Sequence, residues 1–155
     1  MTVTPYDPRS AIEARADIVL AFDAVAGLMG GGLHARRGAV GVIVVDPRLD
    51  GPARRAVLTH ELVHHERGDL VDHPDAPAGL VLLAAREERA VDDVVARRLV
   101  PAVELVALAR ADDEACGVGP EEVAEHFDVP VSVARRAFDL LGIASVRDYS
   151  PPSPG

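Results

Sequence analysis

Apolar positions along the chain recur in two registers, and the change between them marks its elements. Ile12, Ala16, Val19, Leu20, Ala24 and Leu28 fall at helical spacing. That spacing predicts one helix over 9–29, ended by Gly27 and the Gly30–Gly32 run. Residues 40–45, VGVIVV, are rich in β-branched side chains and predict a strand closed by Asp46-Pro47. After the turn signal Asp50-Gly51-Pro52, Pro52 suits the first turn of a helix that runs to Glu66 and stops at Gly68. Prolines and glycine make 69–79 a loop containing His73. Helices are expected over 80–100, halted at Pro101, and over 102–111, with 112–119 a loop. Two short helices follow, 120–127 and 131–141, joined at Asp128-Val129-Pro130 and closed by Gly142. Residues 1–8 read as an irregular arm, 9–142 as a single domain, and 143–155, ending SPPSPG, as a disordered tail.

Composition sharpens this picture. Of 155 residues, 48% are hydrophobic and 26% charged, which is a globular balance. Aromatics are only 3% and Trp is absent, so the core is built from Ala, Val, Leu and Ile. A net charge of −9 argues against nucleic acid as a direct partner, because phosphate binding draws on Lys and Arg. Asp17, Asp23 and the glycines interrupt the apolar stretch 16–33, so it is not read as a membrane span. The N-terminus lacks the basic start and apolar run of a signal peptide. One cysteine, Cys116, allows no intrachain disulfide and suits a reducing compartment. A cytoplasmic protein is expected.

The chemistry concentrates in His60-Glu61-Leu62-Val63-His64, an H-E-x-x-H segment within the helix expected over 52–66. Residues i and i+4 share a helix face, so both imidazoles can reach one zinc ion. Glu61 is rotated by about 100° from His60, beside the open position of such an ion and outside its ligand set. From there it can take a proton from metal-bound water and return it to a leaving amine. Such a site needs a third protein ligand, expected from the 80–100 helix. Glu88 is favoured because it shares a stripe with Val95 and Leu99; Glu87 is the weaker candidate. The alternative for each is a solvated glutamate near Arg86 and Arg89. Asp92, four residues after Glu88, can accept the free ring N–H of a ligand histidine. Manganese or iron could occupy the same donor set. His65 points about 100° from His64 and is not expected to bind the same ion. His34 and His126 carry no assigned role, and His73 could line a substrate cleft.

These residues together resemble the ImmA/IrrE family of small zinc metallopeptidase-like proteins, over about residues 8–142. RRAVLTHELVHH resembles its active-site helix, EERAVDDVVARRLVP its second helix, and EEVAEHFDVPVSVARRAFDLLGI its C-terminal helices. The chain departs from the family at Val63, where glycine is common, and at Ala90-Val91-Asp92. The resemblance implies an α+β, mainly helical, gluzincin-like fold, with a small β-sheet packed on the active-site helix. It also implies His60, His64 and Glu88 as ligands of Zn2+, Glu61 as the base, and a regulatory protease that acts on a repressor partner. Two other functions compete. The same fold could serve as a non-enzymatic partner-binding module. Residues 121–141 also have a helix-turn-helix look with Arg135 and Arg136, although packing on the core is the favoured role for that segment.

Overall fold

A computed structural model describes residues 5–68, 78–111 and 117–142. Helix α1, Pro8–Glu13, opens with Pro8 in its first turn and Asp7 as its cap, whose carboxylate accepts from the Arg9 amide. Strand β1 is Ile18–Phe22, and a short 3-10 helix follows over Ala24–Met29. Strands β2, Gly32–Arg37, and β3, Val40–Val45, form a hairpin. Helix α2 is Gly51–Arg67, α3 is Ala78–Leu99, α4 is Ala102–Ala111, α5 is Pro120–Phe127 and α6 is Val131–Leu141. The fold is α+β and mainly helical, with one small sheet.

The single helix expected over 9–29 is not formed. α1 ends at Glu13, and the next apolar run, IVLAF, is a strand parallel to β3 with Ile18 opposite Gly41 and Phe22 opposite Val45. A short apolar run fits a helix face or a buried parallel strand equally well, and here pairing with a distant strand decides. β2 was not foreseen either, because Gly32 to Arg37, GLHARR, holds no β-branched residue. The two-residue Gly38-Ala39 turn folds it antiparallel onto β3, with Arg37 opposite Val40. Gly38 has φ +64°, the positive φ that tight two-residue hairpin turns need at their first central position. The strand order is β1-β3-β2, so β2 lies at an edge.

The remaining expected elements lie within one or two residues of their observed bounds. The expected loop 69–79 falls mostly outside the described residues, as do 112–116 with Cys116, the 143–155 tail and residues 1–4. Residues 5–7 of the expected arm have no regular structure, and Pro8 begins α1.

α2 is the central element. On one side Leu58 and Leu62 join Ile12, Ile18, Ile43 and Val45 in a core against the sheet and α1. On the other, Val63 joins Val91, Val95, Leu99, Leu105, Val123 and Phe138 in a larger core with the later helices. Arg55 ties the N-terminal side to α5 by donating to the carbonyl of Tyr6 at 2.9 Å and to that of Phe127. Arg136 of α6 donates to Asp93 of α3 at 2.7 Å, and Arg135 to Glu121 at 2.9 Å. Both arginines of the helix-turn-helix-like segment are therefore paired with carboxylates of the fold.

Leu62 is 1% exposed, and truncating it leaves a cavity between α2 and the sheet. Leu62→Ala is expected to lower unfolding free energy by about 3 kcal/mol, read from urea denaturation.

Candidate metal centre

The interior placement of α2 dictates where its polar side chains go. Asp50 caps its start, its carboxylate accepting from the Ala53 amide at 2.8 Å. Leu58, Leu62 and Val63 take the two cores, and His60 and His64 fall one turn apart on the flank that faces α3. Their Nε2 atoms lie 3.0 Å apart. Glu88 of α3 reaches across so that Oε2 is 3.3 Å from His60 Nε2 and Oε1 is 3.2 Å from His64 Nε2. These three residues are the one group of potential metal-binding side chains among the described residues with this proximity.

The donor set fits a divalent cation. Bonds of about 2.0–2.1 Å in a tetrahedral site place neighbouring ligand atoms ~3.3 Å apart, close to the separations seen. The His60 ring is 26% exposed, the His64 ring 19% and the Glu88 side chain 54%, so the cluster opens to solvent on the Glu88 side. Burial first, and the neighbouring His64 second, push the His60 proton affinity below its ordinary 6.5, while Glu88 and Asp92 pull the other way. A neutral His60 with a lone pair to offer is the state a ligand needs. Asp92 Oδ1 lies 3.4 Å from Nδ1 of His60, on the ring edge away from the cluster, which suits it to hold the ring with Nε2 inward.

Glu87 is engaged elsewhere. Arg67, at the end of α2, grips its carboxylate through Nε and through Nη2 at 3.0 Å, and this pairing holds the Glu87 pKa below its ordinary value. The cluster thus gathers Glu88 and leaves Glu87 to an ion pair.

Glu61 turns to the sheet side of α2 and is 8% exposed. Its carboxylate packs on the backbone of β2 at Gly32, where a Cβ would sit 2.5 Å from Oε1 and 2.5 Å from Val57 Cγ1. Only glycine permits this approach. Glu61 is therefore not a member of the three-residue cluster but its neighbour on the helix, wedged between α2 and an edge strand.

One turn further on, a second polar group lies between α2 and the sheet. His65 is 1% exposed. Its Nε2 is 2.9 Å from Asp17 Oδ2 and its Nδ1 is 3.1 Å from His34 Nε2. Arg15 donates to Asp17 at 2.9 and 3.0 Å, and Arg36 of β2 donates to the His65 carbonyl at 2.8 Å. The His65 ring rests on Gly41 of β3, where a Cβ would lie 2.5 Å from Cε1. Sequence reading assigned none of these roles. Gly41 alone carried a signal, since a glycine inside a strand pattern marks close backbone approach. His126 packs edge-on to Phe127, and Tyr6 lines a separate cavity with it, beside Arg55 and Arg98. His73 and Tyr149 lie outside the described residues.

No family model matches the chain, and no curated protein or solved structure matches it. No described helix is long and apolar enough to cross a membrane.

The hydrogen bonds from Arg15 first, and His65 second, hold the Asp17 carboxyl below its ordinary value of 3.8. Ionised Asp17 therefore contributes stability above about pH 4, and that contribution fades as pH falls through its folded value. Urea denaturation should show Asp17→Asn less stable than the unmodified chain at pH 7, with the gap narrowing from pH 4 downward.

Proposed function

We propose that the protein is a zinc-dependent metallo-endopeptidase of regulatory type, with His60, His64 and Glu88 as metal ligands and Glu61 as catalytic base. The observation that carries this reading is the convergence of three donor groups, from two helices, at tetrahedral-edge spacing. A zinc ion supplies Lewis acidity and brings the pKa of a bound water to about 7. The residues of the chain do the rest. Asp92 orients His60, and Glu61 holds a proton taken from the attacking water and releases it to the departing amine.

Edge strand β2 offers a way to hold the substrate. An extended peptide pairing along its outer edge is fixed by main-chain hydrogen bonds. Glu61 packs on the face of the same strand at Gly32, under the plane in which such a peptide would pair. The resemblance to ImmA/IrrE proteins favours a repressor-like protein as the substrate, met in the cytoplasm, with neither nucleic acid nor membrane as a direct partner.

A second reading has an observation of its own. Glu61 is covered and packed on Gly32, which is how the chain would look if it binds a partner without cleaving it. The same fold is then a regulatory binding module. The third reading, a DNA-binding regulator, loses support from the carboxylate pairing of Arg135 and Arg136.

Metal analysis separates these functions. After zinc reconstitution and desalting, about one zinc per chain is expected. His60→Ala and Glu88→Gln should lose it, and Glu87→Gln should keep it. Loss in Glu87→Gln together with retention in Glu88→Gln would reverse the assignment of the third ligand. Glu61→Gln should keep zinc and lose roughly a hundredfold or more of peptide-bond cleavage, read by mass spectrometry on a degenerate peptide mixture. Undiminished cleavage by that variant rules out Glu61 as the base, and no cleavage by the zinc-loaded unmodified protein favours the binding module.

A further inference from the structure

The polar group around His65 lies on the sheet-facing side of α2, about 100° around the axis from His64, and the proposed mechanism uses none of it. Its parts come from four segments: Asp17 just before β1, His34 and Arg36 on β2, Gly41 on β3, and His65 on α2. Burying an imidazole at 1% exposure is costly unless both ring nitrogens are satisfied, and here both are. The hydrogen-bond roles follow from what each group can do. A carboxylate only accepts, so His65 Nε2 donates to Asp17. A neutral His65 then accepts at Nδ1, so His34 Nε2 donates to it.

We propose that His65 is a positioning residue, fixed by Asp17 and His34, that sets the rotation of α2 against the sheet and so places His64 and Glu61. The inference rests on reading His60, His64 and Glu88 as a metal site.

Geometry makes the case. Leu58 and Leu62 hold α2 on the sheet through apolar burial, which is non-directional and tolerates rotation about the helix axis. Hydrogen bonds are directional and do not. Atoms at the outer radius of a helix lie ~6 Å from its axis, so a 10° rotation moves them about 1 Å. A metal or catalytic constellation tolerates about 0.5 Å. Apolar contact alone therefore leaves the site under-determined, and an interaction that fixes rotation is required. His65 supplies it next to His64 and one turn beyond Glu61, and Arg36 clasps its carbonyl as well. Gly41 leaves room for the ring, and Gly32 does the same for Glu61.

Four substitutions test this through zinc affinity by chelator competition and the absorption spectrum of the cobalt-loaded protein. Asp17→Leu and His34→Leu remove the acceptor and the donor. Asp17→Asn and His34→Gln keep one. The expected result is a loss of roughly tenfold or more in zinc affinity, with a shifted cobalt spectrum, in both leucine variants at unchanged far-UV circular dichroism. The polar variants should stay within about threefold of the unmodified protein, on the principle that a retained hydrogen bond retains orientation. Unmodified affinity and spectrum in the leucine variants would overturn the proposal. So would equal losses in all four, because the polar variants keep the hydrogen bonds that the leucine variants lack. Absence of zinc on the unmodified protein overturns the metal reading and this inference together, and is seen before any substitution is made. If the leucine variants do not fold, nitrogen NMR of the unmodified protein decides. His65 in the Nε2–H form upholds the proposal, and a neutral Nδ1–H form breaks the Asp17 bond and overturns it.

Discussion

The structure depends on one constraint: α2 is covered on two opposite sides at once. The sheet takes Leu58 and Leu62, and the later helices take Val63. A helix in that position has no broad wet face on which to leave its polar residues. Those in its second half must find partners in the layers that cover it. His60 and His64 find them on α3, and His65 finds them on the sheet. Thr59, also fully buried, donates back to the Arg55 carbonyl at 2.9 Å within the helix itself. The chemistry of the site and the packing of the fold are therefore set by the same residues.

The two polar clusters divide the work by burial. The group on α3 keeps Glu88 and Asp92 more than half exposed, so it is open to solvent. The group on the sheet buries the His65 ring while its carboxylate, Asp17, stays 44% exposed. His65 is the buried member of that group, so leaving either of its ring nitrogens unpaired would be costly, which suits a device that has to stay put. Both act on the last turns of one helix, so a disturbance of either is felt by the other.

The helix-borne part of the site was legible in the sequence. The His60–His64 spacing and the stripe joining Glu88 to Val95 and Leu99 are local patterns on continuous helices, and the structure brings those three polar residues together. Asp92 was legible for the same reason. The sheet side was not. IVLAF shares its apolar content with a helix face, and only pairing with β3 makes it a strand. GLHARR has no strand signature and is folded onto β3 by its turn. With β1 and β2 unseen, Asp17 and His34 could not be set beside His65, because their proximity is created by non-local pairing. Glu87 and Glu88 differ by one residue, and what separates them is the guanidinium of Arg67, twenty residues away on another helix.

Gly32 and Gly41 have a consequence for how this sequence can drift. Both are strand positions where a helix side chain lies against bare backbone. Elsewhere on β2, Ala35 and Arg37 face solvent and can vary with little penalty. At the two glycines an added Cβ would meet the side chains of Val57, Glu61 and His65 at 2.3–2.9 Å, so those side chains would have to move. The buried histidine and the wedged glutamate keep their present positions only with these glycines opposite them. The four positions are thus coupled in pairs, Gly32 with Glu61 and Gly41 with His65, and a change at one bears on its partner.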